Sequence, residues 1–244
     1  MGHALRRAAS QRIGGFDPLT VGWTHAYWAE GPEFAALGLS DGAAVATWPD
    51  EIGTADLTQA TAGLRPTYRT AGTINSVPAV RGDGTQYYRD TASMTMAQPH
   101  STVIVTRLTS VAGTWATIID GKTGSNRAWV AVRTGGTLGW NLFAGGGNPT
   151  AGTPAANTSY LLMALLSGAS SVLDINGTQV VAGNPGTHQR GGVSLFNSSA
   201  DLGQAAAVSA DIAFVGLFSG DARTDPKWSD FKAWVSSHYS ITVA

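Results

Sequence analysis

The sequence predicts an all-β protein, an antiparallel two-sheet sandwich with one C-terminal helix and a short N-terminal arm. Three observations carry that expectation. Short β-branched or alternating apolar runs recur along the chain, turn residues separate them, and helical periodicity is confined to the two ends. Glycine supplies 31 of 244 residues, nearly twice its usual share of about 7%, so tight turns are frequent. No strand–helix–strand alternation appears, which sets aside a parallel sheet. Neither an internal repeat nor a second compositional regime is visible. Residues 1–20 therefore read as an arm and residues 21–244 as one domain.

In the arm, Leu5, Ala8, Ala9 and Ile13 line one side of a short helix that Gly14-Gly15 would end, with Arg6, Arg7 and Arg12 elsewhere around the turn. A helix this short is marginal alone in water. Its apolar side is expected to dock on a neighbouring subunit or another protein, with the arginines pairing to acidic groups there. Residues 102–106 form a compact β-branched run, and residues 115–119 a second strand. Across residues 127–133, Ala128, Val130 and Val132 alternate with Arg127, Trp129, Ala131 and Arg133, the period of a strand with one buried face. Residues 145–159 read as a long exposed loop. Asn176-Gly177, between residues 171–175 and 178–181, supplies the two positive-φ positions of a type I′ hairpin turn. Residues 210–218 give a last strand. Asp225 is placed to cap the final helix and Pro226 fits its first turn, while Trp228, Phe231, Trp234 and Val235 fall on one stripe. Val103, Val105, Val130, Val132 and Ile212 are expected between the sheets, with the helix stripe packed on one side.

Composition narrows function. Charged residues are 13% of the chain and the formal net charge is −1, which offers no general attraction for nucleic acid or anionic membranes. The absence of cysteine excludes disulfides, thiolate metal sites and cysteine nucleophiles. The longest apolar run, residues 160–166, is far too short to span a bilayer. Arg6 and Arg7 are not followed by the apolar run of a signal peptide, so no export signal is expected.

Residues 41–50 (DGAAVATWPD) are followed by Asp56-Leu57-Thr58-Gln59-Ala60-Thr61, then Arg65-Pro66-Thr67-Tyr68, then residues 77–84 (VPAVRGDG). This series resembles the laminin-G-like, concanavalin A-like lectin/glucanase domains of bacterial surface proteins and tailed-phage minor tail proteins. Residues 172–177 look like the family's "l.vNG" hairpin, and residues 228–241 like its closing helix. The resemblance covers roughly residues 22–242 and implies a concanavalin A-like jelly roll. Two departures stand out. Gly82 replaces the usual aromatic of the "FdG" step, and Ala213-Phe214 stands where an acidic residue is common.

The fold hosts lectins, hydrolases and assembly modules alike. Hydrolases of this superfamily place two glutamates and an aspartate at alternate positions of one strand. The three glutamates here, Glu30, Glu33 and Glu51, form no such set, so a non-enzyme is expected. The five histidines are isolated, no G-x-S-x-G elbow occurs, and Arg81-Gly82-Asp83 falls inside the family segment and reads as structural. Sugars are held by aromatic faces and by planar polar groups. Arg127, Trp129 and Arg133 on one strand face, Trp140 on the next strand, and Asn126 and Asp120 on adjoining turns are therefore the carbohydrate-binding candidates; the alternative places both tryptophans in the core. Calcium through Asp83 or Asp120 is the one cofactor considered; none is otherwise expected.

These readings together give a phage virion structural protein, a minor tail or tail-tip protein that contacts host-surface glycans. Other virion proteins would hold the arm, and the chain would be a homo-oligomer in the particle, without membrane insertion. The alternatives are a bacterial carbohydrate-binding lectin module and, more remotely, a glycan-degrading hydrolase.

Overall fold

A computed structural model of the chain describes residues 15–90, 94–111, 115–121, 126–133, 138–197 and 207–244. The arm residues Leu5, Arg6, Arg7, Arg12 and Ile13 lie outside the described residues. Two eight-stranded sheets are stacked, and every strand pairing within them is antiparallel.

The first sheet runs in the order Thr178–Gly183, Ser171–Ile175, Thr158–Leu166, His100–Leu108, Ser209–Ser219, Ala79–Asp83, Thr67–Arg69. Its long strand Ser209–Ser219 pairs with Ala79–Asp83 along its first half and with His25–Trp28 along its second. The second sheet runs Thr150–Ala151, Gly139–Phe143, Trp129–Arg133, Trp115–Asp120, Ser194–Leu195, Tyr88–Asp90, Leu57–Thr58, Thr47–Trp48. A two-stranded ribbon joins Thr95–Met96 to Arg190–Gly191.

The first sheet is buried on both faces. Leu162, Ala164 and Leu166 point toward the second sheet, and the alternate Leu161, Met163 and Leu165 point toward the C-terminal helix. That explains the unbroken apolar run there, because a strand covered on both sides needs no polar alternation. Val130, Val132 and Ile212 lie between the sheets as expected. Val103 and Val105 do not: they belong to the opposite face, beneath the helix. Their neighbour Ile104 takes the inter-sheet position, and a one-residue change of phase moves a side chain from one face to the other.

Helix Trp228–Tyr239 seals that outer face with Phe231, Trp234, Val235 and Tyr239. The helix starts two residues beyond Pro226. Asp225 accepts from the Lys227 amide at 2.7 Å and, through its other oxygen, from the Gly22 amide at 2.9 Å. It thus fastens the start of the domain to the start of the helix. Leu19 is buried and Phe16 packs beside Trp234 at a centroid distance of 6.4 Å. Residues 16–20, read from the sequence as arm, are therefore part of the domain's packing.

The hairpin forms as its residues dictate, with Asn176 at φ 51° and Gly177 at φ 82°. Residues 145–159 are less uniform than a loop, since they contain the short edge strand Thr150–Ala151 and the start of Thr158–Leu166. The Gly82 departure has a physical partner. A Cβ there would lie 2.6 Å from the ring of Phe196, so an aromatic arriving from the second sheet occupies the space beside Gly82. Phe214 is likewise core, beneath the helix, and the acidic residue of that strand is Asp211. Asp211 is fully buried and accepts from Arg81 Nε and Nη2 at 2.6 and 2.8 Å. The Arg81-Gly82-Asp83 tripeptide is thereby locked into the strand next to the sheet's edge.

Candidate carbohydrate-binding face

The outer face of the second sheet differs from that of the first because, among the described residues, no helix covers it. Strand alternation decides what it displays. In Trp129–Arg133, Val130 and Val132 point inward, so Trp129 and Arg133 point outward. Register then places Phe143 opposite Trp129 and Trp115 opposite Arg133. Thr117 and Ala131, small residues between them, leave room for large rings to lean together.

The result is a shelf of three aromatic rings. Trp129 lies 4.6 Å from Phe143 and 5.4 Å from Trp115, with interplanar angles of 36° and 41°. Its indole N–H donates to Asn141 Oδ1 at 2.7 Å, and Asn141 Nδ2 donates to Thr150 Oγ1 at 2.8 Å, which fixes the ring's orientation. Trp129 is 9% exposed, whereas Trp115 and Phe143 are half-buried. The Arg127 guanidinium lies 4.2 Å above the Trp129 centroid, and that of Arg133 lies 5.3 Å from the Trp115 ring. Such contacts favour a planar, weakly hydrated cation over an aromatic face.

Asp120 supports this arrangement from beneath. Its fully buried carboxylate accepts from Arg127 at 2.9 and 3.0 Å and from the amides of Gly121 and Ala128 at 2.7 and 3.2 Å. A second support escaped the sequence reading. Arg190 is completely buried between the sheets. It donates to the carbonyls of Asp120 (3.1 Å) and Ala128 (2.6 Å) and to Thr102 Oγ1 of the first sheet (3.1 Å). Burial lowers its pKa to about 10, so it remains a cation at neutral pH. It pins both ends of the segment that carries Asn126 and Arg127. A lone arginine beside short strands gives no sequence signal for such a role.

Trp140 is not on the shelf. It pairs with Val132, points inward, and meets Tyr160 edge-on at 4.9 Å in the inter-sheet core. The two candidate tryptophans therefore divide, Trp129 outside and Trp140 inside, because adjacent strands carry them at registers of opposite phase. Trp115 and Phe143 are the aromatics missed, although odd–even alternation along their strands was the signal that could have found them.

Two clefts flank the shelf. One, of about 620 Å³, is lined by Gln98, Asn126, Ser167, Thr187, His188 and Gln189 among others. The other, of about 510 Å³, includes Arg133, Asn148 and Thr150.

Four acidic groups elsewhere are committed to structure. Glu51, which burial raises to a pKa of about 7, accepts from the Glu33 and Phe34 amides at 3.0 and 2.9 Å. Glu30 contacts His238 at 2.6 Å, and Asp221 binds Arg223 at 2.7 Å. Asp83 accepts from the amide and hydroxyl of Thr85 at 3.0 and 2.7 Å, closing its own turn. Among the described residues no three His, Asp or Glu side chains converge as a metal site. The calcium candidates Asp83 and Asp120 thus belong to no cluster of three such side chains there.

No protein-family model matches the sequence, and no curated protein matches it. Solved structures do. A Trypanosoma rangeli sialidase in complex with the inhibitor DANA superposes with a TM-score of 0.57 at 9% identity, over 95% of this chain and 36% of the sialidase. Domain 4 of AbnA, a GH43 extracellular arabinanase from Geobacillus stearothermophilus, in complex with arabinotriose, superposes with a TM-score of 0.56 at 12% identity. That match covers 86% of this chain and 97% of the domain. The chain thus spans little more than a third of the sialidase's length and nearly the whole of the arabinanase domain. At these identities the likeness establishes the fold, an antiparallel β-sandwich.

Proposed function

We propose that this chain is a non-catalytic carbohydrate-binding domain that holds glycans on the outer face of its second sheet. The observation that carries the reading is the shelf of Trp115, Trp129 and Phe143, crossed by Arg127 and flanked by two clefts. Aromatic faces bind the C–H surfaces of sugar rings, and guanidinium and amide groups bind hydroxyls. The likeness to an arabinanase domain solved with arabinotriose supports a glycan ligand at the level of fold. The engagement of Glu30, Glu51, Asp120 and Asp221 in structural hydrogen bonds and ion pairs supports binding without hydrolysis.

The tail-protein version of this reading rests on the sequence alone: the resemblance, the composition and the expected lack of an export signal. In it the domain belongs to a virion, assembles as a homo-oligomer, is anchored through residues 1–15 and touches a host glycan.

Affinity electrophoresis in gels containing arabinan, xylan or bacterial cell-wall polysaccharide tests the proposal. Retardation on at least one gel is expected, reduced about tenfold in affinity by Trp129→Ala, with no reducing ends released. Unretarded migration on every gel, or steady release of reducing ends, would overturn it.

A further inference from the structure

The larger cleft lies at one end of the shelf: His188 meets Phe143 edge-on at 6.5 Å, and Asn126 directly precedes Arg127. Resting on the reading above, we infer that this cleft is a subsite for one uncharged sugar unit of a glycan whose adjoining units lie along the shelf.

Four observations carry the inference. Its size, about 620 Å³, falls in the range of small-molecule sites. Its lining mixes polar and apolar surface and, among the described residues, holds no carboxylate, ammonium or guanidinium. The side chains of Asn126, Ser167, Thr187 and Gln189 carry hydrogen-bonding groups without partners among the described residues, and His188 Nδ1 is enclosed with none. Amides, hydroxyls and an imidazole offer both donors and acceptors, the pattern that sugar hydroxyls require.

The fourth observation is rigidity. Gln98 spends its whole amide on the walls. Its Nε2 donates to the carbonyls of His188 (2.8 Å) and Gly186 (3.2 Å), and its Oε1 accepts from the Gly168 amide at 2.6 Å. Three separate segments are thereby held at fixed spacing before any ligand arrives. A pre-set site loses less conformational entropy on binding.

The test uses the full chain and isothermal titration with arabinotriose, xylotriose, maltotriose and the acidic trigalacturonate as probes. Thr187→Trp fills the cleft from an exposed position. Asn126→Ala/Gln189→Ala removes its hydrogen bonds and serves if the first variant fails to melt like the parent. Expected is binding of at least one neutral trisaccharide, weakened tenfold or more by either cleft variant and also by Trp129→Ala. If Trp129→Ala weakens binding but the cleft variants do not, the subsite is wrong while the shelf reading stands. Preference for trigalacturonate over every neutral probe overturns the uncharged class. If no probe binds here and no polysaccharide retards the protein, both readings fall.

Discussion

The outer faces of the two sheets carry similar chemistry and meet opposite fates. On the first, Trp23, Trp28 and Phe214 stand in a cluster completed by Phe231 and Trp234 of the helix. Trp28 and Trp234 meet at 5.8 Å and 84°, and Trp23 and Phe231 at 5.4 Å and 74°. On the second, Trp115, Trp129 and Phe143 lean together under two arginines. Edge-to-face rings closed beneath a helix form a core, whereas the tilted rings under the guanidinium groups leave part of Trp115 and Phe143 exposed. Aromatic content alone does not distinguish a core from an uncovered face; the covering element does.

The sharpest way to break this comparison is to unseat the helix. Trp234 is 3% exposed, and its replacement by alanine should cost about 3–5 kcal/mol in chemical denaturation. Glycan retention by the still-folded fraction should not change. A loss below about 1 kcal/mol would mean that the helix is peripheral and that both faces are in effect open.

The second test concerns the dry interior that the covering helix and stacked sheets create. Burial, with the Arg190 charge nearby, lowers the His100 pKa from 6.5 to about 3. The unfolded histidine then takes a proton that the folded one refuses, so stability falls as pH drops below 6.5. Glu51 has the opposite sign, its pKa rising from 4.5 to about 7 through burial. The folded chain keeps a proton that the unfolded chain releases, so stability falls as pH rises from 4.5 toward 7. Each group contributes a slope of about 1.4 kcal/mol per pH unit, and the two oppose each other between pH 4.5 and 6.5. Wild-type stability should therefore be nearly flat across that window. His100→Gln should make it fall with rising pH, and Glu51→Gln should make it fall with falling pH. Parallel profiles for all three proteins would contradict this account of the interior.

The mildest expected effect belongs to the uncovered face. Phe143→Ala removes one half-buried ring from the shelf and should cost about 1 kcal/mol of stability, while lowering glycan retention. A loss matching that of Trp234→Ala would make the shelf a second core and weaken the binding reading.

Much of the fold was legible because local rules acted alone. The Asn176-Gly177 turn needs only two residues that accept positive φ, and the Trp228, Phe231, Trp234 and Val235 stripe needs only helical period. Alternation in residues 127–133 assigned the faces of Trp129 and Val130 correctly. It failed to relate Trp129 to Trp140, because the phase between neighbouring strands is set by pairing register and not by either strand's own pattern. The same limit misplaced Val103 and Val105. Their strand is buried on both sides, so periodicity held no information about which side faced the other sheet.

The sequence by itself determined the all-β class, the hairpin, the terminal helix and the placing of Trp129 and Val130 on opposite faces of one strand, since each follows from backbone preference or period within one element. Tertiary structure alone decided that Trp140 turns inward, that Phe196 fills the space beside Gly82, and that Arg190 reaches from the ribbon to both sheets. It also decided that Gln98 binds three segments into the wall of a cleft. Each of these joins residues tens of positions apart, and no local preference encodes a contact whose partner is chosen by how the sheets stack.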